Sequence, residues 1–95
     1  MNHIVEVMGE ERTNFMSYHD IAKVFKPHPK HLDRFSFKIV LKNGDEVSSE
    51  RFSKEVIDVK IAEFVQKWNT YIDWFLREYP YQANMKTFVE DGNPV

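Results

Sequence analysis

An alternation of apolar and polar residues that ends in an Asn-Gly pair constrains the fold more than any other feature of the sequence. From Phe35 to Leu41 every second residue is large and apolar, and Asn43-Gly44 follows directly. A period of two is typical of a strand with one buried face. Asn-Gly favours the positive φ angles of a type I′ turn. The pattern therefore predicts a β-hairpin over residues 35–52.

The register of this hairpin has two solutions. A two-residue loop pairs Val40 with Val47, whereas a three-residue loop places Val47 opposite Leu41 on the apolar face. A slip of one residue moves every side chain of the return strand to the other face. The sequence leaves the choice between the two registers open.

A long amphipathic helix follows the hairpin. Its apolar residues fall within about 120° of a helical projection, which is the width of a core-facing stripe. The helix is expected to begin near Ser53 or Asp58 and to end before Pro80. At 1.5 Å per residue its length is about 30 to 40 Å. The stripe consists of Ile57, Ile61, Phe64, Val65, Trp68, Ile72, Phe75, Leu76 and Tyr79.

The first third of the chain predicts two shorter elements. Residues 3–8 are predicted to form a strand that ends at Gly9, and residues 10–14 are predicted to form a loop. Apolar residues spaced by three and four predict a short helix over residues 18–26. A strand from Ile21 to Phe25 is the alternative, because the segment is too brief for its periodicity to decide.

After the long helix, the spacing of Tyr81, Met85 and Phe88 predicts one more short helix, followed by frayed residues from Asp91. The chain of 95 residues has the length of a single domain. The expected fold is α+β: a small antiparallel sheet, made of the hairpin and an N-terminal strand, packs against the long C-terminal helix.

Composition narrows the class of protein. Cysteine is absent, which excludes a disulfide framework, thiolate metal sites and a thiol nucleophile. No apolar stretch has the length of a secretory signal or of a membrane span. We therefore expect a soluble, cytoplasmic protein.

No motif predicts catalysis, a metal or a cofactor. His28 and His31 stand three residues apart, but the prolines at 27 and 29 make this segment a loop without a nearby acidic partner. His19 lacks a nucleophile in a suitable context. The three glycines are isolated, so no phosphate-binding loop is present. The sequence predicts a protein that is not an enzyme and has no cofactor.

The middle of the chain is basic. Residues 23–42 carry six basic residues and one acidic residue, whereas both flanking segments have a net negative charge. Such a segment can contact phosphates, and this is the basis of an alternative function as a nucleic-acid-binding module. The candidate residues are Lys23, Lys26, Lys30, Arg34, Lys38 and Lys42.

Trp74 lies outside the apolar stripe, about 140° from its centre at 100° per residue. Tryptophan is enriched among residues that dominate binding interfaces. One interpretation is a surface for a protein partner or a second copy of the chain; the other is that the tail, through Tyr81, Met85 or Phe88, covers the ring. The candidate partner-binding residues are Trp74, Val56, Lys67, Thr70, Tyr71 and Glu78.

The sequence thus favours a small non-enzymatic protein-interaction module. The chain is short, mildly acidic, rich in aromatic residues and free of catalytic motifs. Phages and mobile elements encode inhibitors and adaptors of this type, so we expect it to be an inhibitor or adaptor of a larger host macromolecular machine. The alternative is nucleic-acid binding through residues 23–42.

Overall fold

The computed structural model describes residues 3–28, 35–81 and 85–92. It confirms the α+β class, but the N-terminal strand does not join the sheet of the hairpin as predicted, because the strands form two separate sheets. Strands β1 and β2 form an antiparallel pair, and the second sheet has the order β5-β4-β3-β6. The elements are β1 (Ile4–Met8), β2 (Thr13–Ser17), a 3-10 turn (Tyr18–Asp20), β3 (Ile21–Lys26), β4 (Lys38–Leu41), β5 (Glu46–Ser48), α1 (Ile57–Glu78) and β6 (Val89–Asp91).

The predicted hairpin is present as β4 and β5, with a register that neither predicted loop describes. Ile39 pairs with Val47, and residues 42–44 form a three-residue loop. The Gly44 amide donates to the Leu41 carbonyl, and Gly44 has a positive φ of 94°, which no other described residue has. These features define a type I turn followed by a left-handed glycine, so the prediction of a type I′ turn was wrong.

Residues 18–26 are helical only over the 3-10 turn. From Ile21 to Lys26 the chain is strand β3, so the strand interpretation is confirmed and the longer helix was wrong. Val24 pairs with Ile39 in the antiparallel β3–β4 ladder, and both are fully buried. Strand pairing outweighs a weak helical spacing because it buries these branched side chains in a sheet.

The loop was predicted to extend over residues 10–14, but it is shorter, because β2 already begins at Thr13.

The tail also differs from the prediction. Instead of a short helix, residues 89–91 form β6, which lies parallel to β3 with Val24 opposite Val89. The Val24 amide also donates to the Phe88 carbonyl. The tail therefore extends the sheet.

Helix α1 confirms the predicted core-facing helix, and it ends two residues before Pro80. The helix buries one face against the two sheets. Trp68 is 1% exposed, and its indole N–H has no hydrogen-bond partner within the described residues. The core comprises Val5, Val7, Met16, Tyr18, Ile21, Val24, Phe37, Ile39, Ile57, Ile61, Phe64, Trp68, Tyr71 and Ile72.

Candidate functional site

An open groove of about 750 Å³ runs between strand β1 and helix α1. All five residues of β1 line one wall. The other wall is the helix face formed by Lys60, Glu63, Lys67 and Thr70, whose spacings of three and four place them in one row. The remaining lining residues are Tyr18, Phe37, Glu50, Phe52 and Phe64. Tyr18, Phe37 and Phe64 are buried, which gives the groove an aromatic floor.

Strand β1 turns backbone groups toward this groove. The Tyr18 amide donates to the His3 carbonyl and the Gly9 amide to the Arg12 carbonyl, so the odd-numbered residues of β1 bond to β2. In an antiparallel pair the intervening residues point their N–H and C=O groups to the opposite edge. Within the described residues, the N–H and C=O of Glu6 have no backbone partner. The groove wall therefore offers a donor and an acceptor.

Each end of the groove is held by a contact that β1 or the residue before it makes with another part of the chain. At one end, the His3 ring meets the Trp74 ring edge-on, with centroids 4.5 Å apart. At the other end, the Glu50 amide donates to the Met8 carbonyl at 2.7 Å. The part of the β1 edge around Glu6 therefore lies between two fixed points.

The charges that line the groove are only partly paired. Lys60 lies 3.8 Å from Glu63 and above the ring of Phe52. Within the described part of the chain, Glu6 and Glu50 form no ion pair, and Lys67 forms none. The uncompensated charge along the β1 side is therefore negative.

The structure separates the predicted partner-binding residues. Lys67 and Thr70 line the groove, and Trp74 continues their row to its end. Tyr71 is 2% exposed and belongs to the core, so it has no surface to offer a partner. Val56 and Glu78, both exposed, stand at opposite ends of α1, about 33 Å apart at 1.5 Å per residue. The six residues do not form one surface.

Trp74 is half-buried. Its described ring contacts are with His3 and Tyr71, and the tail residue Tyr81 is 99% exposed. The N-terminal segment therefore contacts the indole, which neither interpretation of the sequence proposed.

The four described basic candidates lie on or beside the second sheet, in β3, in β4 and in the loop after β4. Lys23 pairs with Glu90, Lys26 with Asp91 and Lys38 with Glu46, at 3.3 to 3.8 Å. Lys42 is exposed and has no ion pair among the described residues. Lys30 and Arg34 lie outside the described residues. Three of the four described cations thus have a carboxylate beside them.

A polar contact joins the 3-10 turn to α1. The Tyr71 hydroxyl is 3.3 Å from Nδ1 of His19. Burial raises the pKa of Tyr71, and the negative charge of Asp20 raises it further. His19 itself packs on Phe75, with ring centroids 5.0 Å apart. The hydroxyl and the imidazole therefore help to hold the 3-10 turn on the helix.

Metal-binding clusters of three or more His, Cys, Asp or Glu residues do not occur among residues 3–28, 35–81 and 85–92. In the same ranges, no helix has the length and apolar character needed to cross a membrane. Of the two histidines that the sequence places in a loop, His28 is half-buried and His31 lies outside the described residues.

Sequence reasoning missed the groove, although part of its signal was present. The row Lys60, Glu63, Lys67 and Thr70 is visible in the sequence as the polar side of α1. Its opposite wall is not, because nothing local indicates that β1 lies beside this row. Trp74 was recognised as unusual, and its contact with His3 explains its position.

No protein-family model matches the chain, no curated protein matches it, and no solved structure matches it.

Proposed function

We propose that this protein is a non-enzymatic interaction module that binds an extended segment of a partner polypeptide in the groove between β1 and α1. The observation that carries the proposal is the unpaired backbone of Glu6 on the wall of a groove with an aromatic floor. An added strand would form main-chain hydrogen bonds with β1 while its side chains enter the groove. This is the general mode of β-strand addition.

The expected occupant alternates in character along its length. Successive side chains of an extended segment point to opposite sides, so every second one would face Tyr18, Phe37 and Phe64. Apolar side chains suit those positions because they would remove aromatic surface from water. A basic residue suits the β1 side, where Glu6 and Glu50 form no ion pair with any described residue. The partner is thus a segment with apolar residues at alternate positions and at least one Lys or Arg.

The proposal fits an inhibitor or adaptor in the cytoplasm, since such proteins act by occupying a segment of a larger partner. Nucleic-acid binding is the weaker proposal, because Lys23, Lys26 and Lys38 are each beside a carboxylate. A mobility shift at ~50 mM salt that weakens steeply at higher salt would favour the nucleic-acid function instead.

The test begins with a displayed library of random twelve-residue peptides, selected on the whole protein. An enriched peptide is then measured by fluorescence polarisation against two pairs of variants. Glu6→Pro removes the N–H that faces the groove, and we expect at least tenfold weaker binding. Phe15→Pro is the matched control, because Phe15 is directly opposite Glu6 and its N–H faces the other edge of the hairpin.

The second pair of variants tests the helix wall of the groove. Thr70→Arg places a large side chain in the helix wall, whereas Asn69→Arg makes the same change at the adjacent exposed residue, which does not line the groove. We expect only Thr70→Arg to weaken binding. The absence of any enriched peptide, or equal affinity for all four variants, would overturn the proposal.

A further inference from the structure

Strand β2 leaves one edge open on the side away from β1. Thr13, Phe15 and Ser17 alternate with the residues that bond to β1, so their N–H and C=O groups point outward. Within the described residues the N–H and C=O groups of Thr13 and Phe15 have no backbone partner, whereas the Ser17 carbonyl accepts a hydrogen bond inside the 3-10 turn. The Phe15 side chain is 68% exposed, the largest exposed fraction of any apolar side chain within the strands described.

This edge also lacks the usual protection. Exposed edge strands are commonly shielded by charged residues or proline, which discourage pairing with another chain. The sequence of β2, Thr-Asn-Phe-Met-Ser, has neither. The edge strands of the second sheet differ, because β5 carries Glu46 and β6 carries Glu90 and Asp91.

We infer that β2 is a self-association edge, which pairs antiparallel with β2 of a second copy of this chain. A two-fold axis at Phe15 places each Phe15 opposite its counterpart and Thr13 opposite Ser17, so every outward N–H meets a C=O. The result is a continuous four-stranded sheet, β1-β2-β2-β1. The groove on the far edge of β1 stays open in this arrangement, so self-association and peptide binding are independent.

The distribution of charged residues favours a second copy of this chain as the partner of the β2 edge. Self-pairing of β2 places no charged residues opposite each other within the strand, whereas self-pairing through β5 or β6 would bring acidic residues into the same ladder. The antiparallel register also brings Arg12 of one copy to the Tyr18–Asp20 turn of the other. Neither Arg12 nor Asp20 has an ion pair among the described residues.

The strength of the association follows from its size. Two strands of five residues bury far less than the ~1,200 Å² of a stable interface, so we expect a weak dimer with a Kd of roughly 10 μM to 1 mM. Self-association should therefore appear only in concentrated solution.

The test is sedimentation equilibrium over a concentration series from about 10 μM to 1 mM, the range set by an interface of this size. Phe15→Lys adds a charge at the centre of the β2 edge and should weaken dimerisation at least tenfold. Met8→Lys is the matched control, because Met8 is 56% exposed on β1 of the same hairpin and lies away from the β2 edge. Dimerisation by this control should equal that of the unaltered protein.

Amide exchange locates the contact independently of any variant. Between dilute and concentrated samples, the Phe15 amide should become protected, while the Met16 amide, already bonded to β1, should not change. A protein that stays monomeric at 1 mM overturns the inference. So does a dimer that Phe15→Lys leaves intact, or one that Met8→Lys weakens equally.

Discussion

Replacing Trp74 by alanine tests whether the end of the groove is built as the structure shows. An aromatic side chain can bury ~200 Å², and at least about two thirds of Trp74 is buried, so its burial accounts for ~150 Å², or about 4 kcal/mol of unfolding free energy. Trp68→Ala is the internal control. Trp68 is 1% exposed, and its truncation should cost about 3 to 5 kcal/mol. Urea unfolding followed by circular dichroism measures both.

A double-mutant cycle with His3→Ala isolates the contact between the two walls. His3 and Trp74 meet edge-on at 4.5 Å, and such ring pairs contribute about 0.5 to 1.5 kcal/mol beyond their area. We expect a coupling energy in that range, together with weaker binding of the selected peptide by Trp74→Ala. Two results would refute the reasoning: additive His3 and Trp74 variants, or a loss of less than about 1 kcal/mol for Trp74→Ala, which is the effect expected at an exposed position.

Three further predictions concern the turn, the tail and the buried tyrosine. Gly44→Ala should lower the unfolding free energy by ~1 kcal/mol, because Gly44 has a φ of 94°, and Gly44→Asn should cost less since asparagine tolerates that region better. Gly92→Ala would place a Cβ 2.7 Å from the Lys26 carbonyl, so β6 should detach and the Val24 amide should exchange faster. Burial raises the pKa of Tyr71 above 10.0, so the folded state keeps this proton more firmly than the unfolded state does. Stability should therefore fall as the pH rises above 10, and Tyr71→Phe should reduce that fall in pH-dependent urea unfolding.

The sequence predicted those elements whose signal is local. Helix α1 was predicted because its apolar side chains recur on one face, and the hairpin because Asn43-Gly44 follows an alternating run. The register was not predicted. A type I turn with a left-handed glycine and a type I′ turn both accept Asn-Gly, so the pair does not distinguish them.

Elements that depend on distant partners were missed. Strand β6 forms only because residues 89–91 reach β3, more than sixty residues earlier in the chain. The groove also depends on residues that are distant in sequence, since strands β2 to β5 separate β1 from α1 along the chain. A row of polar residues on a helix is normally solvated, and only the position of β1 makes this row the wall of a groove.

The most direct test of the central claim is to locate a selected peptide on the protein by nuclear magnetic resonance. In the complex, the Glu6 amide should become protected from exchange, and nuclear Overhauser contacts should connect the peptide backbone with β1 and its side chains with Phe37 and Phe64. Contacts confined to the outer face of the second sheet or to the β2 edge, with the Glu6 amide still exchanging freely, would contradict the claim that this groove is the binding site.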